Sequence, residues 1–490
     1  MGIGRKLAVP AVNFAKGCLA ARAVYLNKTK GVPPIPKGKY DKIDAPVSDH
    51  FTMGFASRIV TPDDVATHAY YIAGYKSNNP AVGVLDDLTC SAVWIDDNSG
   101  RGAVVFVSAD NVGMTNNDVN AVKAEMADFL RETGCRSVNI MATHDHAGID
   151  TMGIWGPIPK KIQSGKDPKY MRILFDGIQA CVREAYETRR DGQIYLGRKD
   201  APEELQNDKR LPWVFSRAVT RLRFVPDDGG REIYFINFAA HSESLLGRNS
   251  LISADFPGEA RRLVKAAADV DIIYFVGAIG GMITTHEVCE DNIESMRQCG
   301  RMLADTILAI DKDKEEKLEP VMNILRQEFY LSGDNPVLML GGKLKLLDAQ
   351  SYPTAKGVLK QSLKTEMTYI SMGALQMALC PGEVFPELIY GGYLSAEESA
   401  SGKGAEANPR PFIEIADDPN LLVFGLANDE IGYIIPPNDF LVNAELPYIE
   451  QTRDRLDRRH YEEVNSLGPD TAPGMAAVFE EMMRTVKAAK

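Results

Sequence analysis

From Phe51 onward, the hydrophobic positions of this 490-residue chain fall into two alternating rhythms. Short runs rich in Val, Ile, Phe and Tyr have the length and composition of strands, among them AVVFVSAD (103–110), SVNIMATH (137–144), EIYFINFAAH (232–241) and IIYFVGAIG (272–280). Helical spacing marks DVNAVKAEMADFLRETG (118–134), PGEARRLVKAAA (257–268) and NIESMRQCGRMLADTILAI (292–310). Strand followed by helix, repeated, predicts an α/β core with mixed sheets and some parallel pairing. In such sheets ligands collect where strands end. Residues 320–380 alternate without long helical patterns (VMNILRQEFYL, GVLKQSLKTEM, YISMGALQMALC), so a strand-rich second portion should pack on the same core. LLVFGLAN adds one strand, and the tail from Asp457 reads as helix, turn, helix. The segment 397–411 is the best loop candidate. Residues 1–50 are basic, punctuated by Gly and Pro (KGVPPIPKGKY), and lack a sustained apolar period. They read as an arm, with 51–490 as one large domain.

Composition narrows the classes. The chain is 45% hydrophobic and 25% charged, the balance of a folded globular protein. A net charge of -12 leaves no general basic surface for a phosphate backbone, so nucleic acid is not expected as a partner. The same acidity argues against tight association with anionic membranes. The longest apolar stretch, Ile272 to Ile283, has 12 residues including three glycines, too short for the ~20 that span a bilayer. Lys16 and Arg22 interrupt the apolar N-terminal region, which disfavours a signal peptide, and Lys6 breaks the lipid-attachment pattern that begins Met-Gly. Seven scattered cysteines without a CxxC pair read as reduced, mostly buried thiols of a cytoplasmic protein.

The candidate chemistry lies at predicted strand ends. His144 and His146 follow SVNIMA, and in extended backbone side chains two apart share one side, which suits a metal ion. An HxH pair alone is more often satisfied by ordinary hydrogen bonds. His241 ends a second strand and precedes a polar loop, with Asp255 a helix cap ahead of Pro257. Glu383 follows ALQMALC and the Pro381-Gly382 turn, and Tyr433 stands in GLANDEIGYIIPP. Taken one by one, these read as a carboxylate near a helix N-terminus and an ordinary tyrosine. Jointly, two His, a Glu and a further oxygen donor have the composition of a catalytic zinc site with a place for water. Zinc would lower the pKa of that water toward ~7, so hydrolysis is the natural chemistry.

Several stretches in order, MGFASRIVTPD (53–63), AGYKSNNPAVGVLDDLTCSAVWIDD (73–97), ATHDHAG, INFAAHSESLLG, SADFPGEARRL, CPGEVFPE, GLANDEIGYIIP and YEEVNSLGP, resemble the neutral/alkaline, non-lysosomal ceramidase family. The resemblance implies a ceramidase-type catalytic domain and hydrolysis of an N-acyl amide with one zinc ion. By position it implies His144, His241, Glu383 and Tyr433 as zinc ligands and His146 as the acid/base residue. It implies Arg210 as an oxyanion stabiliser, with Arg198 and Arg217 close by in the chain. HDHAGI stands where the family shows HTHSGP. Gly277 and Gly281 stand where ungapped alignment puts the family's amide-holding Ser and its Asp, so a substrate other than ceramide is expected. Against the resemblance, the immunoglobulin-like domain that follows the catalytic part in secreted members is not expected within these 490 residues.

Other readings start from the same residues. THDH loosely resembles the HxHxDH string of metallo-β-lactamase-like hydrolases, but Ala147-Gly148-Ile149-Asp150 follows. An ester or glycosidic bond is a second possibility, the latter pairing Glu383 with Asp255 or Asp145. A non-catalytic relative that binds a small molecule or a protein is the third. The partner expected throughout is a small-molecule or lipid-like N-acyl substrate.

Overall fold

A computed structural model describes residues 3–157 and 160–489, so the Met1-Gly2 start lies outside the described residues. The main sheet contains β1 (Phe51–Ile59), β2 (Thr89–Asp96), β3 (Val104–Ala109), β4 (Ser137–Ala142), β5 (Arg190–Asp200), β6 (Ala218–Pro226), β7 (Ile233–Phe238) and β8 (Asp271–Val276). Their order is β8-β7-β6-β5-β1-β2-β3-β4, with Glu316–Lys317 added beside β5. Pairing is parallel for β7 with β8 and for β3 with β4, and antiparallel elsewhere on this path. The α/β class with mixed sheets is therefore the observed one.

This topology positions the site. Counted along the pairings, β4 and β7 run in opposite senses, so in a flat sheet their C-terminal ends would lie at opposite edges. Six steps of strand twist at roughly 20–25° each turn one by about 120–150° relative to the other. The sheet also folds back on itself. Ser108 on β3 donates a hydrogen bond to the Tyr274 carbonyl on β8 at 2.6 Å. Phe106, Phe235 and Phe275 interlock between the two ends of the sheet, with centroids 5.3 Å and 4.4 Å apart for the first and second pairs. The segments after β4 and β7 therefore meet, joined by a bridge between Asp145 and Ser242.

Helices cover the outside. α1 (Ile3–Lys30) comes first in the chain, and α2 (Asn116–Glu125) is capped by the Thr115 side chain. α3 (Pro168–Glu187) buries Tyr170, Leu174, Ile178, Cys181 and Ala185 against β1 and β2, at the spacing of one helical face. α4 (Asp255–Ala268) and α5 (Asn292–Leu308) pack together over the β7–β8 end. The predicted 118–134 helix breaks at Met126, and the long α3 was not anticipated.

The strand-rich second portion is a sheet of β9 (Met322–Ser332), β10 (Ser362–Met372), β11 (Leu375–Leu379) and β13 (Leu422–Phe424), in that order. Between the last two in sequence lies the two-residue β12 (Glu383–Val384), which pairs in parallel with β14 (Tyr433–Ile434). Phe424 packs against the Phe106–Phe275 cluster, edge-on to Phe275, so both sheets share a core. The chain closes with α6 (Thr471–Ala488). The helix expected before it is a single 3-10 turn, Glu462–Asn465, because Glu462 and Glu463 turn inward to Arg210. Within the N-terminal arm, Ile3–Lys30 form α1, whose short buried stripe, Leu19 and Ala23, carries too little apolar period to show in the sequence.

Candidate metal centre

His144, His146 and His241 converge where β4 and β7 end. Their ring centroids lie 4.7 Å (His144–His146), 4.6 Å (His144–His241) and 5.7 Å (His146–His241) apart. The expected extended backbone does not produce this. His144 has φ 56°, in the left-handed region, so the pair shares a pocket through a local backbone kink and not through strand alternation. Asp255 also departs from its expected role. It is the first residue of α4, and its carboxylate accepts from the Ser244 and Leu245 N–H groups at 3.0 and 3.1 Å, pinning the loop after His241.

The tautomers follow from the hydrogen bonds. His144 Nδ1 donates to the Val112 carbonyl at 2.8 Å and His241 Nδ1 to the Ile283 carbonyl at 2.7 Å. A carbonyl only accepts, so each Nδ1 carries the proton and each Nε2 presents a lone pair. Those Nε2 atoms lie 3.3 Å and 2.9 Å from the same oxygen, Glu383 Oε2. Three electron-rich atoms at this spacing require a shared cation or a proton between them. β12 delivers Glu383, and its register with β14 sets Tyr433 directly beside it. The Tyr433 hydroxyl donates to Met282 Sδ at 3.2 Å.

Charge and burial act strongly here. Burial pushes the Glu383 carboxyl up, but the His144 and His241 rings outweigh it and hold it well below the carboxylate range. Burial lowers His241, and the Glu383 bond more than compensates, so its pKa is raised. Burial, reinforced by His144 and His241, keeps His146 well below its ordinary value and neutral. Burial and then the Glu383 charge push the Tyr433 hydroxyl well up.

Three further groups complete the centre. Glu430 has a ligand atom within 4.8 Å of those of His144 and Glu383. Its Oε1 accepts from the Gly432 N–H at 2.6 Å, while Oε2 is buried without a partner. Glu243 lies 3.8 Å from His146 Nδ1 and accepts from the Tyr75 hydroxyl at 2.6 Å. None of Glu430, Glu243 and Tyr75 was anticipated from the sequence, although Glu430 stands only three residues before Tyr433. Both His146 ring nitrogens and His144 Nε2 are buried without hydrogen-bond partners. Orphaned imidazole nitrogens around an anionic carboxylate suit a divalent cation such as zinc.

The centre opens into a cavity of about 1040 Å³ whose wall includes Trp155, Trp213, Met282, Leu338 and Arg210. The Arg210 side chain is buried, and its guanidinium bonds Asp439, Glu462 and Glu463 at 2.9–3.1 Å. Its donors are thus largely taken up by carboxylates. Neither Gly277 nor Gly281 lines the cavity. A Cβ on Gly277 would stand 3.1 Å from Ala239 Cβ, so this position packs against the residue that follows β7.

Residues 63–280 match the family described as Neutral/alkaline non-lysosomal ceramidase, N-terminal. The matched segment is less than half of the 490-residue chain. The neutral ceramidase of Oryza sativa subsp. japonica is 27% identical over 215 residues, which cover 40% of this chain and 27% of that protein. Neutral ceramidase 1 of Arabidopsis thaliana is 26% identical over 246 residues, covering 46% and 28%. The matched segment thus spans about a quarter of these relatives. A crystal structure of neutral ceramidase from Pseudomonas aeruginosa superposes with a TM-score of 0.67 at 15% identity, over 90% of this chain and 75% of that one. A ceramidase complexed with C2 gives 0.67 at 14%, over 90% and 76%. At such identity these two matches speak to the fold alone.

Proposed function

We propose that this chain, which resembles the neutral ceramidases, is a zinc-dependent hydrolase that cleaves an N-acyl amide bond in a small or lipid-like substrate. The observation that carries the reading is the convergence of His144 and His241 Nε2 on one Glu383 oxygen. His144, His241 and Glu383 would hold one zinc ion, with Tyr433 as a neutral oxygen donor beside Glu383. Zinc in that place supplies a water of lowered pKa and polarises a carbonyl.

The protein's own groups handle the proton. His146, neutral and facing the cavity, accepts a proton from the attacking water and delivers it to the leaving nitrogen. The Tyr75–Glu243 pair beside His146 Nδ1 steadies the imidazolium formed in between. Arg210 acts by position. It ties Asp439 to Glu462 and Glu463, and so fixes the wall on which a substrate rests. Trp155, Trp213 and Leu338 give that wall apolar surface for an acyl chain.

The decisive experiment is elemental analysis of the purified protein together with a screen of N-acyl amides that includes ceramide, plus esters and glycosides. One zinc per chain and cleavage of N-acyl compounds supports the reading. A metal-free protein without amidase turnover, or a preference for esters or glycosides, would refute it.

A further inference from the structure

Helix α1 presents apolar residues on two opposite faces. Leu19 is buried in the core of the second sheet and Ala23 is buried one turn on, with Leu26 and Asn27 partly covered beside them. On the other side Phe14, Cys18, Ala21 and Tyr25 form a stripe at helical spacing, all exposed, with Phe14 75% and Tyr25 66% open. A helix apolar all round is normally enclosed, so this outer stripe lacks its covering. Arg22 and Lys28 flank it, both exposed.

Charge identifies what would cover it. Residues 1–40 contain eight of the chain's 55 Lys and Arg and none of its 67 Asp and Glu. The remaining 450 residues are therefore strongly acidic, and the net charge hides a basic end. The acidity of the whole chain thus gives the wrong sign for this surface. A second copy would bring one basic stripe against another. An anionic bilayer offers both the opposite charge and an apolar layer for the aromatic rings.

The location suits a lipid surface as well. Leu19 shares a core cluster with Met339, and the Asn27 amide donates to the Pro353 carbonyl. α1 therefore leans on the segment 336–353, which supplies Leu338, Leu347 and Tyr352 to the cavity wall. The same segment exposes Leu340 and Leu344.

We propose that the outer face of α1 docks the protein on an anionic lipid surface through Phe14 and Tyr25, with Arg22, Lys28 and Lys30 drawing it there and Leu340 and Leu344 adding to the contact. This rests on the α1 surface alone and stands whether or not the metal centre is a hydrolase.

The test is cosedimentation of the full chain with vesicles of phosphatidylglycerol and phosphatidylcholine, against vesicles of phosphatidylcholine only. The wild type should bind the anionic vesicles, and added salt should weaken binding. Arg22→Gln with Lys28→Gln should cost about fivefold per cation removed. Phe14→Ser with Tyr25→Ser should reduce binding by about tenfold or more without altering metal content or circular dichroism. Absence of wild-type binding to the anionic vesicles would overturn the proposal, as would full binding by both double variants. So would light scattering that shows a dimer split by Phe14→Ser with Tyr25→Ser.

Discussion

Glu383 Oε2 lies 2.9 Å from His241 Nε2 and so joins residues 142 positions apart in the chain. Because His241 Nδ1 is committed to the Ile283 carbonyl, this contact sets a lone pair against an anion unless a cation intervenes. Metal binding and folding are then coupled at this point. Excess zinc should raise the thermal midpoint of the metal-free protein, by the midpoint shift that about 2.7 kcal/mol gives at a hundredfold excess over Kd.

His144→Ala and Glu383→Gln each remove one of the converging atoms. Both should lose metal affinity by more than the about 10–100-fold typical when an outer partner of a ligand is removed. Competition against a chromophoric chelator reads this independently of turnover. Full metal content and full activity in His144→Ala would remove the basis of the site.

How much of this was readable beforehand depends on the range of the interaction. The α/β alternation, the second sheet and the strand-end positions of His144, His241 and Glu383 are local patterns of apolar runs followed by polar turns, and these the sequence carries. Glu430 and Glu243 are ordinary acidic residues in ordinary loops. Only the return of the chain beside His144 and His146 gives them a role. The kink at His144 replaced the expected strand alternation because no local pattern announces a positive φ at a histidine.

Burial raises the Glu387 carboxyl from 4.5 to about 8, with the charge of Asp208 adding to the shift. An acid whose pKa is higher folded than unfolded holds its proton longer in the native state. Stability is therefore greatest below pH 4.5 for this group and falls as pH rises, by up to about 1.4 kcal/mol per pH unit, levelling off above about 8. Asp208, raised to about 7, pulls in the same direction. Urea midpoints measured from pH 5 to 8 should drop for the wild type and flatten in Glu387→Gln.

Arg210→Ala strands three buried carboxylates, Asp439, Glu462 and Glu463. Losing one partner of a buried ion cluster costs about 3–5 kcal/mol, because the remaining charges stay desolvated. The variant should unfold at lower urea at pH 7 and recover part of that loss at pH 5, where protonation relieves the stranded acids. A residue that positions the wall should affect KM at least as much as kcat, whereas a direct oxyanion donor would lower kcat alone.

Gly74 offers the sharpest separation of proton transfer from metal binding. Its φ is 101°, a conformation L side chains rarely adopt, and a Cβ there would stand 2.5 Å from His146 Nδ1 and 2.6 Å from its Cγ. Gly74→Ala must therefore push the His146 ring aside or shift the loop that carries Tyr75. His144, His241 and Glu383 sit on other segments and should stay in place. Displacing a proton-transfer group by about 1 Å costs on the order of 10²-fold in rate. The variant should keep its metal and most of its stability while kcat falls by about that factor. If metal is lost as well, His146 is a ligand and not the acid/base residue. If kcat is unchanged, His146 takes no part in the chemistry.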